Sequence, residues 1–288
     1  MFFTRLISGI SLVIIALVTI LMGNGVLAVT LCLISLVAYR ELTAACNVHT
    51  ENRKYNALEL TGMVLTVAYY VLLFITLYRG RENGDRIEMV YPVVMMSIVI
   101  SLIVFLFIYV FSFPRYQAPQ IMAAMFSWLY APVMLSFIYL IREGIDYGSY
   151  LVWLVFLCSW GSDTCAYAVG VLFGKHKMTP KLSPKKSVEG AVGGVAGAAL
   201  LFVLYTNYVV NRSTDMTFPL VLAAILGAVG ALVSMVGDLA ASAIKRDHEI
   251  KDYGKLIPGH GGIMDRFDSV IIAAPLIFIG LAVANLAG

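Results

Sequence analysis

Apolar runs of about 20 residues, the length that crosses ~30 Å of hydrocarbon at ~1.5 Å rise per residue, recur from one end of this chain to the other. About nine are visible, with approximate bounds 4–22, 25–46, 57–78, 89–112, 119–141, 149–173, 189–211, 217–243 and 269–287. A backbone surrounded by hydrocarbon must satisfy its own N–H and C=O groups, and a helix does so within a single segment. The expected fold class is therefore all-α, an integral membrane protein of about nine transmembrane helices. Composition agrees, since 60% of the 288 residues are hydrophobic and only 13% are charged; a soluble domain carries roughly a quarter charged. The first run, Leu6 to Leu21, follows Arg5 without an obvious small-residue cleavage site and is read as a retained span.

No soluble domain fits between the runs. Residues 1–148 read as an N-terminal membrane region of about five spans. Residues 149–288 read as a C-terminal catalytic region of about four spans, interrupted by two polar loops at 174–188 and 245–268. Loops rich in Lys and Arg stay cytoplasmic. With the N-terminus inside, Arg5, Arg53, Lys54, Arg115, the lysines of 175–186 and the cluster at 245–266 share the cytoplasmic side. Arg79, Arg81, Arg86, Arg142 and Arg212, diluted by acids such as Glu82, Asp85 and Glu143, fall on the other. Both polar loops are thus expected in the cytoplasm, where nucleotides are.

The net charge of +3, with bases clustered in two segments, gives no stripe for nucleic acid. Cys32, Cys46, Cys158 and Cys165 lie in or beside spans with no C-x-x-C pair and read as packing residues. There is no internal repeat and no pair of broken spans in matching halves, which weighs against an alternating-access transporter.

An ionisable group inside a membrane is expensive unless it is paired, hydrated or bound to a cation. Asp163, in Trp160-Gly-Ser-Asp-Thr-Cys-Ala-Tyr167, and Asp238, after Gly237, are such groups. One alone would read as a helix–helix hydrogen bond; two shift the reading toward a cation site. Asp238, Ser242 and Lys245 are spaced i, i+4, i+7 with Arg246 beside them, a face that runs from carboxylate through hydroxyl to paired bases. Asp163, Tyr167, Gly170 and Gly174 form a similar stripe whose glycines admit another backbone or a ligand.

The segment Gly174 to Gly190 holds five lysines, hydroxyls and two prolines ahead of a new span. A membrane anchor alone would explain the lysines, whereas the prolines argue for a fixed shape. Ser183, Lys185, Lys186 and Ser187 offer donors to a polyphosphate, and the next helix start adds free N–H groups. Gly190, Gly193, Gly194 and Gly197 then read as tight helix packing.

Further on, Pro258-Gly-His-Gly-Gly262 makes a turn whose backbone N–H groups, those of Gly261 and Gly262 among them, are expected to face a ligand. It leads into Asp265 and Asp268, three apart. With Asp238 they form an oxygen-ligand set suited to Mg²⁺, which takes one or two carboxylates plus phosphates and waters. His260 has no second His or Cys at ligand spacing, so it is expected to hydrogen-bond a phosphate or orient the loop rather than hold zinc.

At these residues the chain resembles the bacterial-type phosphatidate cytidylyltransferases, whose signature S-x-x-K-R-x4-K-D-x-G-x2-I-P-x-H-G-G-x2-D-R-x-D is matched without a gap from Ser242 through Asp268. Ser162-Asp-Thr-Cys-Ala-Tyr167 and Ser183-Pro-Lys-Lys-Ser-Val-Glu-Gly190 are also similar to that family, with Ser187 where Thr is more often expected. The resemblance implies transfer of CMP from CTP to phosphatidic acid, with pyrophosphate leaving, at the cytoplasmic ends of the C-terminal helices of a multi-pass protein of the cell inner (cytoplasmic) membrane. It implies Asp238 and Asp265 as Mg²⁺ ligands, with Asp268 and Asp163 close by and a second cation, mono- or divalent, compatible with the cluster. Lys185, Lys186, Lys245, Arg246 and Arg266 would handle phosphates, and Ser242 would hydrogen-bond within the site. The expected partners are the two substrates and the bilayer, and the small-residue helix faces are compatible with a homodimer. Three rival readings stand beside this one. In a related CTP-using kinase a lipid alcohol attacks the γ-phosphorus and needs a general base; a transporter would spread its acids across membrane depth; a scaffold gives no reason for carboxylates beside glycine-rich turns.

Overall fold

The computed structural model describes residues 2–48, 56–83, 86–257, 259 and 261–287. Its helices are α1 (Phe2–Met22), α2 (Asn24–Ala45), α3 (Ala57–Asn83), α4 (Arg86–Ser112), α5 (Ala118–Gly144), α6 (Gly148–Phe173), α7 (Val188–Ser213), α8 (Leu220–Asp247) and α9 (Met264–Ala287). Among the described residues, eight of these are long and apolar enough to cross a membrane, and Gly9–Met22 of α1 is a shorter apolar stretch. The chain is an all-α integral membrane protein, as the apolar runs predict. Two features depart from that reading. The polar segment before α7 contains a hairpin of β1 (Lys177–Thr179) and β2 (Ser183–Ser187), paired antiparallel with Lys177 opposite Ser187 and Thr179 opposite Ser183. The last helix begins at Met264, so Asp265 and Asp268 lie in its first turns, where carboxylates complement the positive end of the helix dipole.

The chain groups into two compact units. One comprises Met1–Asp146 with Asp247–Arg266, the other Tyr147–Arg246 with Phe267–Gly288. The stretch expected to travel whole with the C-terminal spans is thus divided, and the reason is local: its central part is anchored to α2, as described below.

In the first unit, α2, α3 and α5 bury Tyr39, Tyr69, Tyr70 and Trp128. A buried hydroxyl in a membrane protein needs a partner, and each of these tyrosines has one. The hydroxyls of Ser35 and Tyr70 lie 2.9 Å apart and those of Tyr69 and Ser136 lie 2.8 Å apart, while the Tyr39 hydroxyl donates to the Leu58 carbonyl at 3.2 Å. Pro132, which lacks an N–H, sits in a wide π turn (Leu129–Val133) of α5, and its carbonyl accepts from the Tyr70 hydroxyl at 3.3 Å. At one end of the unit the buried Glu143 carboxylate accepts from the Asn24 N–H at 2.6 Å and pairs with Arg81 and Arg142.

In the second unit α6 and α7 pack closely because glycines remove the side chains between them. A Cβ on Gly193 would stand 2.5 Å from Val169, and one on Gly197 2.5 Å from Cys165 Sγ. Gly227 of α8 does the same against Phe202 of α7, and Gly237 brings α8 within 2.9 Å of the Asp268 carbonyl on α9. These close approaches carry the acidic residues of α6, α8 and α9 toward one another.

Candidate active site

The residues singled out by sequence fall into two sets, one in each unit. In the second unit Asp163 of α6, Asp238 of α8 and Asp268 of α9 lie within electrostatic reach of each other. Lys186, from the end of β2, places its ammonium 2.5 Å from Asp238 Oδ2, with both side chains about a quarter exposed (24% and 27%). Lys245, two turns beyond Asp238 on α8, acts on Asp268, and the Ser269 hydroxyl donates to Asp163. The Asp268 carboxylate also accepts from the Ser269 N–H at 2.8 Å. Ser242 reaches Asp238 Oδ1 at 3.5 Å, a weak hydrogen bond. The helical stripe Asp238, Ser242, Lys245 is therefore present, while Arg246 beside it is exposed on the last turn of α8.

The hairpin brings Lys186 to this cluster. Ser187 caps α7, its Oγ accepting from the Gly190 N–H at 3.1 Å. Glycines at 170, 174 and 190 crowd this hydroxyl, and a Cβ on them would come within 3.1, 2.7 and 3.0 Å of it. Glu189 fastens the other strand by accepting from the N–H groups of Lys175 and His176 at 3.1 and 3.2 Å. A cavity of about 510 Å³ lies against these elements, lined by Asp163, Asp238, Lys185, Lys186 and Ser187 among others. Ser183, opposite Thr179 in the hairpin, is not among its lining residues.

In the first unit, Asp265 organises the turn that precedes α9. Its Oδ2 accepts from the N–H groups of Tyr253 at 2.8 Å and Gly262 at 3.0 Å. Gly259 and Gly261 have φ of 79° and 88°, and Ile257 N–H donates to the Gly261 carbonyl at 2.9 Å, which closes the turn. The Gly262 N–H, expected to face a ligand, is therefore engaged by Asp265. Arg266 lines a second cavity of about 490 Å³ with Lys251, Lys255 and Gly261. His260 lies outside the described residues, as do Pro258, Arg53, Lys54 and Asp85.

One residue of this set was missed from sequence. Glu41 of α2, buried at 9% exposure, accepts from the N–H groups of Ile263 at 3.1 Å and Met264 at 2.8 Å. It caps the start of α9 across more than two hundred residues of sequence, and Gly254 and Gly262 leave it room, since a Cβ on either would overlap its carboxylate. An acid within the apolar run 25–46 was the available signal.

The donor chemistry suits a hard cation. The acids of the second unit offer only oxygen, and Lys186 shows that a positive charge settles on Asp238. Among the described residues no three His, Cys, Asp or Glu side chains are gathered closely enough to hold a metal by themselves, so phosphate and water oxygens would have to complete the shell.

A model of the cytidylyltransferase family matches residues 3–284. The chain is 30% identical over 276 residues to the phosphatidate cytidylyltransferase of Staphylococcus haemolyticus, covering 96% of this chain and 97% of that protein. It is 41% identical over 136 residues to the phosphatidate cytidylyltransferase of Synechocystis, a stretch that covers 47% of this chain and 44% of the relative. To the protein of the same name from Mycobacterium tuberculosis strain H37Rv it is 36% identical over 168 residues, covering 58% of this chain and 49% of that one. With the family model spanning nearly every residue and one relative matched almost end to end, this chain belongs to the cytidylyltransferase family.

Proposed function

We propose that this chain transfers CMP from CTP to phosphatidic acid, releasing pyrophosphate and leaving CDP-diacylglycerol in the membrane. The observation that carries the reading is the meeting of Asp163, Asp238 and Asp268, on membrane-spanning helices, with Lys186 of the hairpin and Lys245. Charges so placed are expensive unless paired, hydrated or bound to a cation, and a cluster of three acids with two lysines suits a charged guest. Family membership and the names of the relatives support the same reading.

In the proposed reaction a phosphate oxygen of phosphatidic acid attacks the α-phosphorus of CTP. The bond from that phosphorus to the β-phosphate oxygen breaks, and pyrophosphate departs with the electron pair. The attacking oxygen is already ionised at neutral pH, so the step needs positioning and charge neutralisation rather than a strong base. An entering phosphate competes with Asp238 for the Lys186 ammonium, which frees the carboxylate. Lys185, Lys245 and Arg246 add positive charge for the remaining phosphate oxygens, Arg266 offers the same in the cavity of the first unit, and Ser242 restrains Asp238. Asp238 and Asp268 would hold Mg²⁺, with Asp265 implied as a ligand by the family resemblance, and the ion would supply charge neutralisation for the transfer. The distribution of Lys and Arg supports a site that faces the cytoplasm from the inner membrane.

The test is an assay of purified protein in detergent with CTP, Mg²⁺ and either phosphatidic acid or a lipid alcohol. Pyrophosphate and a CDP-lipid formed only with phosphatidic acid are expected. CDP released with the alcohol would contradict the reading and indicate a kinase.

A further inference from the structure

The cavities of the two units differ in character. That of the first unit is walled by Lys251, Asp252, Lys255, Arg266 and glycine backbone. That of the second is amphipathic. Lys177, Lys185 and Lys186 of the hairpin line it together with Asp163, Asp238 and Ser187, and Ala166, Val171, Met178, Ala191 and Met235 supply hydrocarbon. The apolar wall continues outward, since Tyr167 and Val171 of α6 are 74% and 66% exposed and Val192 of α7 is 64% exposed on spans that face lipid. A nucleotide presents ribose hydroxyls and base edges that need polar partners over most of its surface, and the Ala, Val and Met part of the wall offers none. A lipid phosphomonoester needs cations at one end and hydrocarbon at the other, and about 510 Å³ accommodates a headgroup, glycerol and the first part of the acyl chains.

We infer that the cavity of the second unit takes the phosphate end of the lipid substrate, with Lys177 as a headgroup contact and Val171, Met178 and Met235 against its glycerol and upper acyl carbons. The inference rests on the reading that phosphatidic acid is the acceptor. Lys177 lies outside the segments that carry the family resemblance. Its place comes from the hairpin, which pairs it with Ser187, the residue that caps α7 beside Lys186.

The test is steady-state kinetics in mixed micelles, with the surface concentration of phosphatidic acid and the bulk concentration of CTP varied independently. Lys177→Gln is expected to raise KM for phosphatidic acid about fivefold to tenfold, as for loss of one charged contact, with KM for CTP within about twofold of wild type. Lys177→Arg should restore the lipid KM, and Met178→Gln should raise it without touching that for CTP. A rise in KM for CTP instead, or no change in either, would overturn the assignment while leaving the transfer reaction standing. A wild-type protein that forms no CDP-lipid would overturn the reaction itself and this inference with it.

Discussion

At the scale of single residues, the two acids that most shape the candidate site do different work. Asp238 faces an ammonium and is placed to exchange it, whereas Asp265 holds a turn through two backbone N–H groups. Asp238→Asn is expected to lower turnover by about 10²–10³ through lost electrostatic stabilisation. Combined with Lys186→Met its effect should be clearly less than the product of the two single effects, because the pair acts together; kinetics of the double-mutant cycle measure this. Glu41→Ala leaves two buried N–H groups without their acceptor and should destabilise the protein by about 1–3 kcal/mol. Thermal unfolding in detergent would record the shift, and activity should fall with it because the turn before α9 loses its anchor. Asp163, Asp238, Asp265 and Asp268 were legible in the sequence, since acids in or beside apolar runs stand out. Glu41 carried the same signal, but its partners are backbone groups over two hundred positions away, and no local pattern names them.

Among elements, the spans were legible and the hairpin was not. Apolar length alone marks a membrane helix, so the runs at 57–78 and 149–173 appear as Ala57–Asn83 and Gly148–Phe173. Strands of three and five residues containing Lys177, Pro184, Lys185 and Lys186 show no alternation of apolar and polar positions, and their pairing is supported by Ser187 capping α7 and by Glu189 of α7 accepting from Lys175 and His176. The start of α9 was placed late for a related reason, because its first turn is polar and capped by Glu41. Glycine packing between α6 and α7 gives a prediction at this scale. Gly193→Leu would drive a side chain into Val169 and is expected to destabilise the protein by about 1–3 kcal/mol, displacing Lys186 from Asp238 as α7 shifts. The melting temperature and turnover should both decline, whereas an unchanged melting temperature would mean that the two helices are not in close contact.

For the molecule as a whole, the proposed reaction needs the hairpin to face the compartment that holds CTP. The ends of the helices bear on this. Arg81, Arg142, Glu143 and Asn24 gather at helix ends of the first unit, which the proposed orientation puts on the far side. A single cysteine replacing Lys181 in the hairpin should react with an impermeant thiol reagent only from the cytoplasmic side, and one replacing Asp215 only from the other. These variants belong in a background with Cys32, Cys46, Cys158 and Cys165 removed. Attack at the α-phosphorus of CTP by a lipid phosphate is decided by following which phosphorus reaches the lipid. With CTP labelled separately at the α and γ positions and phosphatidic acid as acceptor, α label is expected in the lipid product and γ label in pyrophosphate. Recovery of the γ label in the lipid would contradict it.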